Sequence, residues 1–148
     1  MHLSRWVVKG GEIDPDDLRF RLLNADHLAY IVDNGLIVAT GAIKNPTLRH
    51  KNDIARRSKI DLSLYQKELG YISVEPSYQR HHLASRITEN LLTLIAEPIF
   101  ATSRVDNAGI HKILSRHRFT IQGNNWFSQV RAPSRKGTRL CLWTRPKI

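Results

Sequence analysis

A chain of 148 residues, 41% apolar and 24% charged, is sized for one globular domain (residues 1–148) and is too apolar for a disordered tail. Its 23 Lys and Arg against 13 Asp and Glu give a formal net charge of +10, which points to an anionic partner or to a solvated basic surface. No apolar run approaches the roughly 18 residues of a membrane span, residues 1–13 lack a signal peptide's apolar centre, and one cysteine, Cys141, excludes an internal disulfide and a CxxC zinc site; the expected compartment is the reducing cytoplasm.

Asp14-Pro15-Asp16-Asp17 is a helix start, with Asp as N-cap, Pro at the first helical position and acids at the positive end of the dipole. Leu18, Leu22 and Leu23 give that helix an apolar face, and it ends near Asn24. Two strands follow around Asp33-Asn34-Gly35, a hairpin turn signal. Residues 44–62 are polar and basic and read as a loop with at most a short helix; within 44–59, six Lys and Arg stand against Asp53 alone.

The run KELGYISV, residues 67–74, is a strand stopped by Glu75-Pro76. Leu83, Ala84, Ile87, Leu91, Leu94 and Ile95 recur at helical spacing over 83–96, and Pro98 follows. Residues 99–105 form a further strand and 107–117 a second helix that buries Ile110, Ile113 and Leu114. Residues 119–122 and 139–144 read as closing strands, with 124–137 a long connection between them. The order is that of a mixed α/β (α+β) chain with a central βαβα segment.

The stretch EPSYQRHHLASRI, residues 75–87, joins the strand to the first of these helices. A helix start presents unpaired backbone N–H groups and a partial positive charge, which suits a pyrophosphate. A phosphate loop normally uses glycine for close backbone approach, and none is present here. Gln79-Arg80-His81-His82-Leu83-Ala84 resembles the signature of the GCN5-related N-acetyltransferases (GNAT), in which Arg or Gln is followed by two residues, Gly, one residue, then Gly or Ala. Gln79 and Ala84 keep the ends, and His82 stands where the middle glycine is usual. Asn107 and Phe119 match a second family block, and the hairpin a third, so the resemblance covers residues 29–144.

The resemblance implies a GNAT-like mixed, mostly antiparallel sheet with splayed central strands flanked by helices. It implies acetyl-CoA as cosubstrate, held by Val74, Gln79, Arg80, His81, His82, Leu83, Ala84 and Asn107, with a backbone N–H near Val74 polarising the thioester carbonyl. Arg80 and His81 would return by charge some of what the missing glycine gives by backbone access. Glu68, eleven residues before Gln79, matches the position of a glutamate base in some members. Period-two geometry would put Glu68, Gly70, Ile72 and Val74 on one face unless a bulge intervenes.

Acetyl transfer to an amine needs a neutral nucleophile, a stabilised oxyanion and a thiolate that is protonated or tolerated. Many relatives carry a tyrosine acid five residues before the Phe; here that place is Leu114, which cannot donate a proton. Ser115, Tyr78 or water remain as acids, and Arg118 replaces the glycine usual before Phe119. His81, His82, His111 and His117 come without the HExxH pattern of a metal site. Cys141, in an alternating apolar run, reads as a buried strand thiol.

The expected activity is acetyl transfer from acetyl-CoA to an amine on an anionic acceptor: a small molecule, a peptide or an aminoacyl-tRNA. The acceptor would approach between residues 44–59 and 124–137. The competing class is a non-catalytic GNAT-like chain or a basic nucleic-acid-binding module; a homodimer is compatible with either.

Overall fold

The computed structural model describes residues 25–128 and 137–148; the helix expected from Asp14, and part of the 124–137 connection, lie outside the described residues. Six strands, β1 (Ala25–Asp33), β2 (Leu36–Lys44), β3 (Lys67–Val74), β4 (Ile99–Arg104), β5 (Thr120–Phe127) and β6 (Arg139–Arg145), are hydrogen-bonded in the order β1-β2-β3-β4-β6-β5. Among the described residues three α-helices join them: α1 (Leu48–Ser58), α2 (Leu83–Leu92) and α3 (Ala108–Arg116). The chain divides into two compact units, residues up to 45 with 69–96, and 46–68 with 97–148.

In the first unit, β1 and β2 pair antiparallel from Asp33↔Leu36 to Ala25↔Lys44 across the two-residue turn Asn34-Gly35, both at positive φ. Residues Val38 to Ile43 of β2 are all buried, the pattern of a central strand covered on both faces. Helix α2 turns Leu83, Ile87, Leu91 and Leu92 inward. It lies so close to β2 that a Cβ at Gly41 would run into the Ile87 side chain and meet Leu91 Cδ1 at 3.0 Å. Helix α2 ends at Leu92, four residues earlier than the apolar spacing predicts, and Leu94 is exposed.

The second unit is built on Ile54, Leu62, Phe100 and Leu142, with Ile60, Tyr65 and Trp126 packed against them. Its antiparallel ladders join β4 to β6 and β5 to β6, while β3 contributes only the parallel pairs Lys67↔Ile99 and Glu68↔Phe100. Two expectations are corrected here. The segment 44–62 holds a three-turn helix, α1, capped by the Thr47 side chain, which accepts from His50 N at 3.2 Å. Its inward stripe is Lys51, Ile54 and Ser58, two of them polar, so apolar periodicity does not reveal it. Strand β5 also runs to Phe127 rather than ending at Gln122, because a bulge between Gln122 and Trp126, with Gly123 at φ 70°, carries the strand past its polar centre.

Candidate active site

In the first unit the chain leaves β3 at Val74, turns at Glu75, whose N–H donates to Val38 O at 2.8 Å, and makes a single 3₁₀ stretch, Pro76–His81. His82 closes that stretch with φ 55° and ψ 28° and opens α2. The left-handed conformation is the one glycine adopts without cost, and it falls on the residue that replaces the signature glycine. His82 keeps the turn that its side chain disfavours. Its carbonyl accepts the first helical bond, from Arg86 N at 3.1 Å, and its imidazole caps nothing. The first-turn amides of Leu83, Ala84 and Ser85 therefore have no side-chain cap, the arrangement an anion can occupy. Gln79 and His82 are exposed, Leu83 is buried, and Val74 and Ala84 are half-buried.

Tyr78, one of the residues considered as an acid, donates from its hydroxyl to Asp33 Oδ2 at 2.5 Å. That hydrogen bond, then slight burial and the Asp33 and Glu75 charges, push the phenol above its ordinary pKa. A phenol held this way gives up its proton less readily than a solvated one.

Strand β3 does not keep a period of two. Tyr71, in mid-strand, has φ 55°, and its carbonyl accepts from Thr40 Oγ1 at 3.0 Å. A left-handed residue reverses the alternation beyond it, which corrects the expectation that Glu68, Gly70, Ile72 and Val74 share a face. Tyr71 and Leu69 are buried, whereas Gly70, Ile72 and Val74 are half-buried.

In the second unit Glu68 is buried, with 3% of its surface exposed. His50, in the first turn of α1, places Nε2 3.2 Å from Oε1 and 3.3 Å from Oε2 of that carboxylate. Nothing in the spacing announces this pair, because eighteen positions separate the two residues and a histidine in a basic segment looks like one more cation.

Asn107 is the N-cap of α3: its Oδ1 accepts from Ile110 N at 3.2 Å. Its first visible role is thus to start the helix. The same turn is fastened to the sheet by His111, whose Nε2 lies 3.0 Å from Arg104 O and 3.2 Å from Ser103 Oγ. Trp143 Nε1 donates to that Ser103 oxygen at 3.0 Å, and Cys141 Sγ lies 3.4 Å from it. Cys141 is 2% exposed, as a strand thiol should be. Leu114 is 1% exposed, so the usual tyrosine position is filled by a core side chain. After it, Arg118 takes φ 69°, again left-handed where a glycine is usual. Among the described residues no group of His, Cys, Asp and Glu could hold a metal ion.

No family sequence model and no curated protein sequence matches this chain. Solved structures do. A GNAT-family acetyltransferase of Streptococcus agalactiae superposes with a TM-score of 0.64 at 14% identity, over 98% of this chain and 79% of that one. The chain has the GNAT fold. The ribosomal-protein-S18-alanine N-acetyltransferase of Escherichia coli gives 0.61 at 14% identity, over 91% and 77% of the two chains. The yncA protein of Salmonella typhimurium, solved with its cofactor acetyl-CoA, gives 0.62 at 16% identity, over 90% and 74%. The GNAT fold accounts for the β3–turn–α2 and β4–α3 order that the two sequence blocks occupy.

Proposed function

We propose that this protein is an acetyl-CoA-dependent N-acetyltransferase acting on an amine of an anionic acceptor. The observation that carries the reading is the left-handed turn at His82, which starts α2 with uncapped amides at the place where the GNAT signature puts its glycine. In this reading Gln79, Arg80, His81 and His82 and the amides of Leu83 and Ala84 hold the pyrophosphate. Asn107 is a further cofactor contact in this reading, and a β3 backbone N–H near Val74 polarises the carbonyl. Acetyl-CoA, when bound, supplies the acetyl group as a thioester. Glu68 is the carboxylate behind the deprotonation of the amine, and with 3% of its surface exposed it acts through another group. With Leu114 in the core and Tyr78 committed to Asp33, neither position supplies the proton of the departing thiolate. The exposed basic side chains of 44–59, Arg49 and Arg56 among them, favour an anionic acceptor such as an acidic peptide, a nucleotide-linked amine or an aminoacyl-tRNA.

Thermal melting with acetyl-CoA tests the reading. A ligand selective for the folded state stabilises it by about 2.7 kcal/mol at 100 times Kd, so a rise of several degrees is expected. An unchanged melting temperature at millimolar acetyl-CoA overturns the proposal. The buried Leu114 also suits a non-catalytic relative that binds nucleic acid through its basic surface; that alternative predicts a gel shift with tRNA that weakens steeply with salt.

A further inference from the structure

We propose that His50 is the group that takes the proton from the acceptor amine, with Glu68 as the carboxylate that orients it. The proposal rests on the acetyltransfer reading above and gives that reaction a second residue.

Access distinguishes the two side chains. The Glu68 side chain is 4% exposed, whereas that of His50 is 34% exposed. A base must come within hydrogen-bond reach of the proton it removes, directly or through one water, and the exposed imidazole meets that condition better than the buried carboxylate. Both carboxylate oxygens lie at 3.2–3.3 Å from one nitrogen, Nε2. With Glu68 ionised its oxygens only accept hydrogen bonds, so Nε2 carries the hydrogen and the lone pair of neutral His50 is on Nδ1. Among the described residues nothing bonds to that Nδ1. The pair is therefore a base whose tautomer is set by a buried carboxylate on its far side.

Both partners sit on fixed elements. His50 is the third residue of α1, its N–H is held by the Thr47 cap, and Ile54 one turn later anchors the helix in the core. Glu68 is in the parallel ladder opposite Phe100, a fully buried residue. Such support is what a preorganised site needs.

The step balances. The amine nitrogen forms the new C–N bond to the acetyl carbon and gives its proton to Nδ1. The C–S bond breaks with its electron pair on sulfur. The imidazolium, held beside the Glu68 carboxylate, passes the proton through its exposed edge to water or to the departing thiolate. One proton carrier then serves both ends of the reaction, which removes the need for the tyrosine that Leu114 replaces.

The test pairs kinetics with histidine-ring ¹⁵N spectra. Thiol release from acetyl-CoA is followed with small primary amines, peptides of varied N-terminus and bulk aminoacyl-tRNA. His50→Gln keeps an N–H donor for Glu68 but has no basic nitrogen. It should melt near the wild type, retain its KM for acetyl-CoA and lose about 10²–10⁴-fold in kcat, the usual contribution of a general base. Imidazole added to His50→Ala should restore part of the rate, which a purely structural role would not allow. The spectra should show His50 protonated at Nε2 and bare at Nδ1, and Glu68→Gln should disturb that preference. A wild type that transfers acetyl groups while His50→Gln does so equally fast overturns this proposal and leaves the acetyltransferase standing. So does a His50 ring protonated at Nδ1 alone. A wild type that releases thiol with none of the acceptors overturns both.

Discussion

At the bulge of β5 and at the start of α2 the backbone turns left-handed, at Gly123 with φ 70° and at His82 with φ 55°. The dihedrals are similar, but the surroundings are not. A Cβ on Gly123 would run into the carbonyl oxygen of Ser58 and come within 2.6 Å of Ile60 Cγ1. The Cβ of His82 has room, and its imidazole is exposed. Left-handed backbone alone costs a residue other than glycine about 1–2 kcal/mol, a strain that a packed domain can carry. A steric conflict with a neighbouring main chain cannot be relieved so cheaply. What makes a glycine indispensable here is thus the lack of space and not φ by itself, and a signature glycine in open surroundings can be replaced while its turn survives.

The largest effect expected from this contrast is at Gly123. Gly123→Ala should cost about 3 kcal/mol or more, the sum of overpacking against α1 and left-handed strain. At roughly 2–4 °C per kcal/mol for a chain near this size, the melting temperature should fall by about 6–12 °C. Gly123→Asn sharpens the point, because asparagine tolerates left-handed backbone but still carries a Cβ. It should lose nearly as much. A well-tolerated Asn would show that dihedral strain, and not the Ser58 carbonyl, governs the position.

The same distinction explains what was legible in the sequence. The hairpin around Asn34-Gly35 and the strand 67–74 could be read because turn residues and apolar pattern agree there, and the structure gives the same bounds for that strand. Helix α1 was hidden because its inward stripe contains Lys51 and Ser58. The Asn45-Pro46-Thr47 step before it was the available signal, with threonine as the N-cap. The Tyr71 irregularity could not be anticipated, since bulky residues rarely take positive φ. Of the candidate site, the linear part from Val74 to Ala84 was readable as a motif, whereas the His50–Glu68 pair exists only through folding. Spacing identifies residues that act through their backbone in one turn, and it does not identify side chains that meet from different elements.

Arg118 extends the comparison to a second exposed left-handed site, at φ 69° beyond α3. Here the side chain adds a charge. Arg145, 2% exposed, lies over the Phe119 ring at 5.9 Å, and its guanidinium is pushed below its ordinary pKa first by burial and then by Arg118. Arg118→Gly should relieve both the strain and the like-charge repulsion, for a gain of about 1 kcal/mol after the entropy that glycine loses on folding. Arg118→Gln removes the charge but keeps the left-handed strain. Equal gains in melting temperature from Gly and Gln would assign the effect to charge, and a larger gain from Gly would assign it to the backbone.

His82→Gly should have the smallest effect on the fold, because only strain is relieved. The gain is the left-handed cost less the 0.5–1 kcal/mol that glycine typically forfeits, so about 0.5 kcal/mol and a rise of one or two degrees. The ligand measurement is more telling. If the backbone turn, and not the imidazole, is what holds the pyrophosphate, the rise in melting temperature caused by acetyl-CoA should be retained or increased in His82→Gly. The glycine keeps the turn, and the amides of Leu83 and Ala84 become easier to approach. His82→Ala is the informative partner, since it removes the imidazole but keeps the Cβ and the strain. A loss of the acetyl-CoA shift in both variants would place the imidazole itself on the cofactor, and the loop would then hold its phosphate by side-chain charge where the GNAT signature relies on glycine.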